Sequence, residues 1–168
     1  MNSKHLLLPC WEIDNVITSI EHKDISIRGL NSLLIDVDGT LLAKNSCVID
    51  QNVYSWIQKL KKMNKIYLIS NNPSLFRIQS VATELDLPFI HKALKPRTFS
   101  LRKALKEMDS DVNETAIIGD RIFTDILAGN RLGIYTILVR SILNGNNNNY
   151  KYSKSLTIEK FISRILGA

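Results

Sequence analysis

The stretch Leu33-Leu34-Ile35-Asp36-Val37-Asp38-Gly39-Thr40-Leu41 constrains this chain more than any other. An apolar run that stops on two acids and a glycine reads as a buried strand closed by a turn. A strand without polar alternation belongs in a parallel sheet covered on both faces. The acids then stand at its carboxyl end, where open α/β sheets bind their ligands. Residues two apart on an extended chain point the same way, and a turn at Gly39 lets Asp38 swing over Asp36 toward a shared ligand. The plainer alternative is an Asp-Gly turn after a core strand.

The rest of the chain repeats the strand-and-helix alternation. In the opening segment, residues 5 to 31, Trp11, Ile13, Val16, Ile17 and Ile20 partly fit helical spacing, with Asp14 or Asn15 as a cap. This segment is expected to pack on the core. Asp50 suits an N-cap, ahead of Val53, Trp56, Ile57 and Leu60 on one helical face. Ile66-Tyr67-Leu68-Ile69 reads as the second strand and ends in Ser70-Asn71-Asn72-Pro73, where a helix should begin. That places a hydroxyl, amides and a helix N-terminus beside Asp36, an arrangement suited to phosphate. Simple capping is the alternative. Leu87 to Ile90 is a short third strand. Lys95 precedes Pro96 and is held extended, so a loop could aim its ammonium at an anion. A lone lysine there is otherwise a solvated surface group.

Thr98 is read as the cap of the next helix, with Leu101, Ala104, Leu105 and Met108 as its apolar face. Thr115 to Ile118 forms a fourth strand, followed by Gly119-Asp120 and a helix from Phe123 to Asn130 that holds Asp125 in its first turn. Gly119 permits close backbone approach, and Asp120 then faces the ligand edge. Asp125 could simply complement the helix dipole. Tyr135 to Val139 is the fifth strand. Residues 144 to 153, polar and rich in asparagine, suit a flexible linker, and 154 to 168 suit a final helix with Ile158, Phe161, Ile162 and Ile165 packed on the sheet. The whole predicts one α/β domain over residues 1 to 168, a Rossmann-like three-layer sandwich with about five parallel strands and helices on both faces.

Bulk properties narrow the function classes. The 168 residues, 45% of them hydrophobic, suffice for one sizeable core. Cys10 and Cys47 lack metal-ligand or CxxC spacing, which suits reduced thiols and a cytoplasmic setting. Leu6-Leu7-Leu8 before Pro9 is too short for a secretory leader or a membrane span, so the chain is expected to be soluble or peripheral on the inner face of a membrane. A net charge of +6 favours acidic partners: phosphorylated substrates, nucleic acid or an anionic membrane. The run from Lys59 to Lys65 reads as cations complementing a helix C-terminus.

Asp36, Asp38, Ser70, Lys95 and Asp120 therefore meet at one sheet edge. DVDGT, Ser70, Lys95 and GDRIFTD, in that order, resemble the four motifs of the haloacid dehalogenase superfamily of phosphohydrolases. Leu8-Pro9, Ser70-Asn71-Asn72, Lys95-Pro96, GDRIFTDILAGNRLG and TILV further resemble the YqeG-type branch of subfamily IIIA, whose relatives include phosphatidylglycerophosphate phosphatases. Those relatives often carry DxDNT where this chain has Gly39. The resemblance implies that Asp36 is the nucleophile and Asp38 the general acid and base. It further implies Mg²⁺ on Asp36, the Asp38 carbonyl and Asp120, with Asp125 as an outer partner. Ser70, the Asn71 backbone and Lys95 would bind the phosphoryl group. A covalent aspartyl-phosphate would divide one of the slowest uncatalysed hydrolyses known into two displacements.

The assigned elements consume the stretches from Asp36 to Ser70 and from Ser70 to Lys95, so no cap domain fits and the cleft is expected to be open. An open cleft suits a phospholipid headgroup such as phosphatidylglycerophosphate, with no nucleic acid partner expected. A homo-oligomer could also cover it. Two alternatives stand beside this reading: a phosphatase for a soluble sugar phosphate, nucleotide or phosphoprotein, and a catalytically silent domain that binds phosphorylated ligands or a protein.

Overall fold

The computed structural model describes residues 6–44, 46, 48–142, 159, 160 and 162. The apolar runs become strands β2 (Ser32–Ile35), β3 (Lys65–Ile69), β4 (Phe89–Ile90), β5 (Thr115–Gly119) and β6 (Tyr135–Leu138). A further strand, β1 (Trp11–Glu12), makes the sheet six-stranded, in the order β1-β6-β5-β2-β3-β4. Every pairing is parallel.

The opening segment departs from the expected partial helix. Trp11 pairs with Ile137 and Glu12 with Leu138, and only the turn Ile17–Ser19 and helix α1 (His22–Ile27) are helical. Its apolar spacing looks irregular because three conformations follow one another within it, each burying a different residue set. Ile17, Ile20 and Ile25 still enter the core. Asp14 pairs with Arg140, and the Asn15 side chain accepts from the adjoining Val16 amide while its carbonyl accepts from the Arg140 amide, so neither starts a helix over this stretch.

Side chains alternate across the sheet as the period of two requires. Leu33 and Ile35 face α2 (Gln51–Leu60) and α3 (Leu75–Leu85), whereas Leu34 faces α4 (Phe99–Met108) and α5 (Leu127–Leu132). The result is a three-layer Rossmann-like sandwich with helices on both faces.

The helix starts follow local chemistry. Asp50 caps α2 by accepting from the Asn52 amide at 2.8 Å. Helix α3 begins two residues after Pro73, where Ser74 accepts from the Arg77 amide. Thr98 differs from its expected role: its backbone is already in the helical region (φ −91°, ψ −4°) and its hydroxyl caps nothing. A cap side chain reaches back to the first-turn amides when its own backbone is extended. The lysine run serves its neighbours instead of its own helix: Lys61 bonds the carbonyls of Leu85 and Asp86, and Lys65 those of Met108 and Asp109, closing α3 and α4.

The chain steps outward from β2 through β3 to β4, then crosses back to β5 on the other side of β2. Connections leaving β2 and β5 therefore diverge, which opens a crevice at the carboxyl edge. The expected linker and final helix lie outside the described residues except for Glu159, Lys160 and Ile162, as does Cys47. Among the described residues, no helix is long and apolar enough to cross a membrane.

Candidate active site

Ile35 is level with Leu68 on one side and Ile118 on the other, so Asp36 emerges at the centre of the sheet's carboxyl edge. Its amide donates to the Ile118 carbonyl at 3.0 Å, and its carboxylate is buried. Gly39 then turns at φ +97°, a region that L side chains rarely adopt. A Cβ there would lie 2.4 Å from Asp120 Oδ2, so the glycine makes room for a carboxylate as well as for a turn. Gly119 does the same on the other strand, where an added Cβ would meet Asp125 Cγ at 2.3 Å.

Asp125 sits on a π-helical turn, Ile122–Ile126, that precedes α5, where a single α-helix from Phe123 to Asn130 was expected. Such widened turns recur at functional sites. Asp125 Oδ2 accepts from the Arg121 amide at 3.3 Å and from the Thr124 hydroxyl at 3.2 Å. Its Oδ1 lies 2.6 Å from Lys95 Nζ. One side chain thus fixes the turn and holds a cation.

Asp36, Asp120 and Asp125 each bring a carboxylate oxygen within 4.8 Å of the others. Asp120 Oδ2 accepts from the Ser141 hydroxyl, while its Oδ1 is buried with no hydrogen-bond donor. Burial pushes the Asp36 carboxyl up to about 7, with Lys95 opposing and Asp125 and Asp120 adding to the rise. Burial and then the charge of Asp125 raise Asp120 to about 6. Clustered hard oxygen donors with an unsatisfied buried carboxylate atom fit Mg²⁺. The family resemblance makes Asp125 an outer partner and the Asp38 carbonyl a ligand; the structure groups the Asp125 carboxylate with those of Asp36 and Asp120, while the Asp38 carboxylate is held by Arg77 and Asn72.

Lys95 is buried, unlike a solvated surface lysine. Its ammonium contacts Asp36 Oδ1 at 2.7 Å, the Ile69 carbonyl at 2.7 Å and Asp125 at 2.6 Å. Burial would lower its pKa, but Asp125 and Asp36 outweigh that and raise it. The Lys95–Pro96 peptide is cis. Asn71 braces the lysine's backbone from both sides, donating to the Lys95 carbonyl at 2.9 Å and accepting from its amide at 2.7 Å.

Ser70 is buried, and its hydroxyl accepts from the Asn72 amide at 3.0 Å; Ser74, not Ser70, caps the helix. Asp38 accepts from Arg77 Nε at 3.0 Å and Nη2 at 2.7 Å, and from Asn72 Nδ2 at 2.8 Å. Asp36, Asp38, Ser70, Asn71 and Lys95 all line one cleft of about 290 Å³, with Asp120 and Asp125 beneath it.

The cleft also takes Lys44, Asn72, Arg121 and Thr124, which sequence reasoning did not single out. Arg121 and Thr124 stand between the two acids of GDRIFTD, so that motif could have exposed them. Asn72 was visible in the Ser-Asn-Asn-Pro turn. Nothing in the sequence marks Arg77 as a partner of Asp38, since one arginine in a first helical turn carries no such pattern. Ser141 follows the last strand to the same edge, which strand order alone could have suggested.

A family model described as HAD-hydrolase-like matches residues 93–153. Over 137 residues the chain is 30% identical to "Probable phosphatase YqeG" of Bacillus subtilis, covering 81% of this chain and 78% of that protein. The chain belongs to the HAD superfamily, in its YqeG-like branch. Two other relatives differ in what their names say they act on. One is "5'-nucleotidase YutF" of Bacillus subtilis, 35% identical over 74 residues, which cover 44% of this chain and 28% of that protein. The other is "Phosphatidylglycerophosphate phosphatase 1" of Arabidopsis thaliana, 24% identical over 132 residues, 73% of this chain and 38% of that protein. The motifs that carry the resemblance fall on the ends of β2, β3 and β5 and on the loop after β4, around the cleft.

Proposed function

We propose that this HAD phosphatase hydrolyses phosphomonoesters with Mg²⁺ through an aspartyl-phosphate on Asp36, and that its substrate is a phospholipid headgroup such as phosphatidylglycerophosphate. The observation that carries the chemistry is the placement of Asp36. It is a buried carboxylate at the head of an open cleft, touching Lys95 at 2.7 Å and grouped with two further acids.

Asp36, Asp120 and Asp125 are the residues that would hold Mg²⁺, which when bound supplies positive charge against the carboxylate cluster and the phosphoryl oxygens. In the first displacement an Asp36 oxygen forms a bond to phosphorus, the bond from phosphorus to the leaving oxygen breaks, and Asp38 delivers a proton to that oxygen. In the second, Asp38 takes a proton from water, the water oxygen bonds to phosphorus, and Asp36 departs as carboxylate. Lys95, with Ser70 and the Asn71 backbone, balances charge on the phosphoryl oxygens where it develops. Arg77 and Asn72 aim the Asp38 carboxylate. Lys44 and Arg121 add positive charge to the cleft wall.

Three observations support a lipid substrate: the similarity to the Arabidopsis lipid phosphatase, the net charge of +6, and connections too short to form a lid. It would work at the cytoplasmic face of a membrane. The similarity to YutF favours a soluble nucleotide as the second reading.

Phosphate release from an aryl phosphate, phosphatidylglycerophosphate vesicles and nucleoside monophosphates, each with Mg²⁺ or chelator, tests both levels. Turnover should need Mg²⁺, be fastest on the lipid, and vanish in Asp36→Asn with the circular dichroism spectrum unchanged. Wild-type turnover by Asp36→Asn would refute the covalent route. A nucleotide preferred by orders of magnitude would replace the lipid and leave the chemistry standing.

A further inference from the structure

We propose that the sheet edge bearing the cleft is a docking face for an anionic lipid bilayer, with Phe76, Leu94 and Phe99 as its apolar contacts. The proposal rests on the lipid reading above and adds the surface that would bring the cleft to its substrate.

Large apolar side chains left in water call for an account when they gather. Phe76, Phe99, Val48 and Leu94 are 85%, 78%, 77% and 59% exposed, and none joins a hydrophobic cluster of the fold. Val48 lies between β2 and α2, Leu94 lies between β4 and α4, Phe76 is in the first turn of α3 and Phe99 opens α4. In a parallel sheet, strand ends and the following helix starts share one edge, so all four stand on the edge that carries Asp36 and Asp120. The fold does not use them there.

The charge on the same edge selects the occupant. Lys44, Lys92 and Arg97 are exposed in these connections and make no ion pair among the described residues. The exposed acids in the described strand-to-helix connections are all engaged: Asp14 pairs with Arg140, Glu21 with Lys23, and Asp50 accepts from the Asn52 amide. Glu84, Asp86, Asp109, Asp111 and Glu114, all exposed, lie at the opposite edge, where helices run into strands. A second copy docked symmetrically through this same edge would bring cations against cations. An anionic leaflet offers negative headgroups to the lysines and arginine, and an interface into which phenylalanine and leucine can insert.

Sedimentation of the full chain with vesicles tests this. Wild type should pellet with mixed phosphatidylcholine and phosphatidylglycerol vesicles but not with phosphatidylcholine alone, and salt should release it. Joint substitution Phe76→Ser, Leu94→Ser and Phe99→Ser should weaken the pelleting by roughly tenfold or more. The same variant should keep its melting temperature and its turnover of soluble aryl phosphate. Wild type that stays in solution with anionic vesicles at low salt would overturn the proposal in favour of a protein partner. Equal pelleting by the variant would overturn it too. So would a wild-type dimer in light scattering that the triple substitution converts to monomer. Vesicle binding through this edge, without phosphate release from embedded phosphatidylglycerophosphate, would uphold the docking face and overturn the lipid substrate alone.

Discussion

Gly39 shows how a single hydrogen can make room for a buried carboxylate. Gly39→Ala would force a Cβ into Asp120 Oδ2 in a backbone region that resists side chains. We expect it to cost about 1 to 3 kcal/mol and to weaken Mg²⁺ activation, measured by urea unfolding and by Mg²⁺ titration of turnover. Lys95→Ala should cost on the order of 3 kcal/mol by urea unfolding, because it strands Asp36 and Asp125 without their shared cation. It should also slow the chemical step and weaken inhibition by phosphate. The acids set a pH dependence of unusual sign. Asp36 and Asp120 are raised in the folded chain, to about 7 and about 6, from 3.8. The folded state keeps protons that the unfolded state has released, so the metal-free protein should lose stability as pH rises from about 4 to about 7 and level off above. Mg²⁺ binding requires the ionised acids, so its rise in melting temperature should be larger near about pH 8 than near about pH 5. Asp36, Asp38 and Asp120 were legible in the sequence because each follows a strand end, whereas Lys95 and Asp125, read alone as a surface lysine and a dipole complement, drew their roles from the resemblance to the family's motifs. Arg77 was not legible, since its pairing with Asp38 depends on how α3 is rotated against the loop after β2, which helical periodicity leaves undetermined for a polar residue.

Among the elements, caps illustrate where residue type misleads. Ser74 and Thr98 both precede helices, yet only Ser74 bonds a first-turn amide. Ser74→Ala should lower stability by about 1 kcal/mol and Thr98→Ala by a few tenths, compared by thermal unfolding. Strands β2, β3, β5 and β6 were readable as apolar runs, and α2 and α4 as stripes, because burial on one or two faces writes those patterns directly. Strand β1 was hidden: two residues are too few to show a period, and their partner lies far along the chain. The π-helical turn was hidden as well, since a widened turn keeps the apolar content of an α-helix while shifting Asp125 to where it meets both Lys95 and the carboxylates of Asp36 and Asp120.

At the scale of the whole molecule, the sheet departs from chain order twice, once where β5 lies beside β2 and once at the edge where β1 lies beside β6. Residues Trp11 and Glu12 pair with Ile137 and Leu138. During synthesis β1 must therefore wait for β6 to be made, since a domain folds as its partners emerge. Closing so distant a pair is slow relative to local contacts. In pulsed hydrogen exchange during refolding, amides bonded across β1 and β6 should gain protection after those between β2 and β3. A nascent chain stalled before Tyr135 would hold a preformed cleft half, with Asp36 and Ser70 in place, and a bare β5 edge open to other strands. The placement of two residues near the start of the chain thus makes β6, once formed, the interior neighbour of both strands and leaves the finished sheet with two-residue strands, β1 and β4, at both of its borders. Borders that short give a foreign strand little to pair with, so the risk of edge-to-edge aggregation is confined to the interval of synthesis.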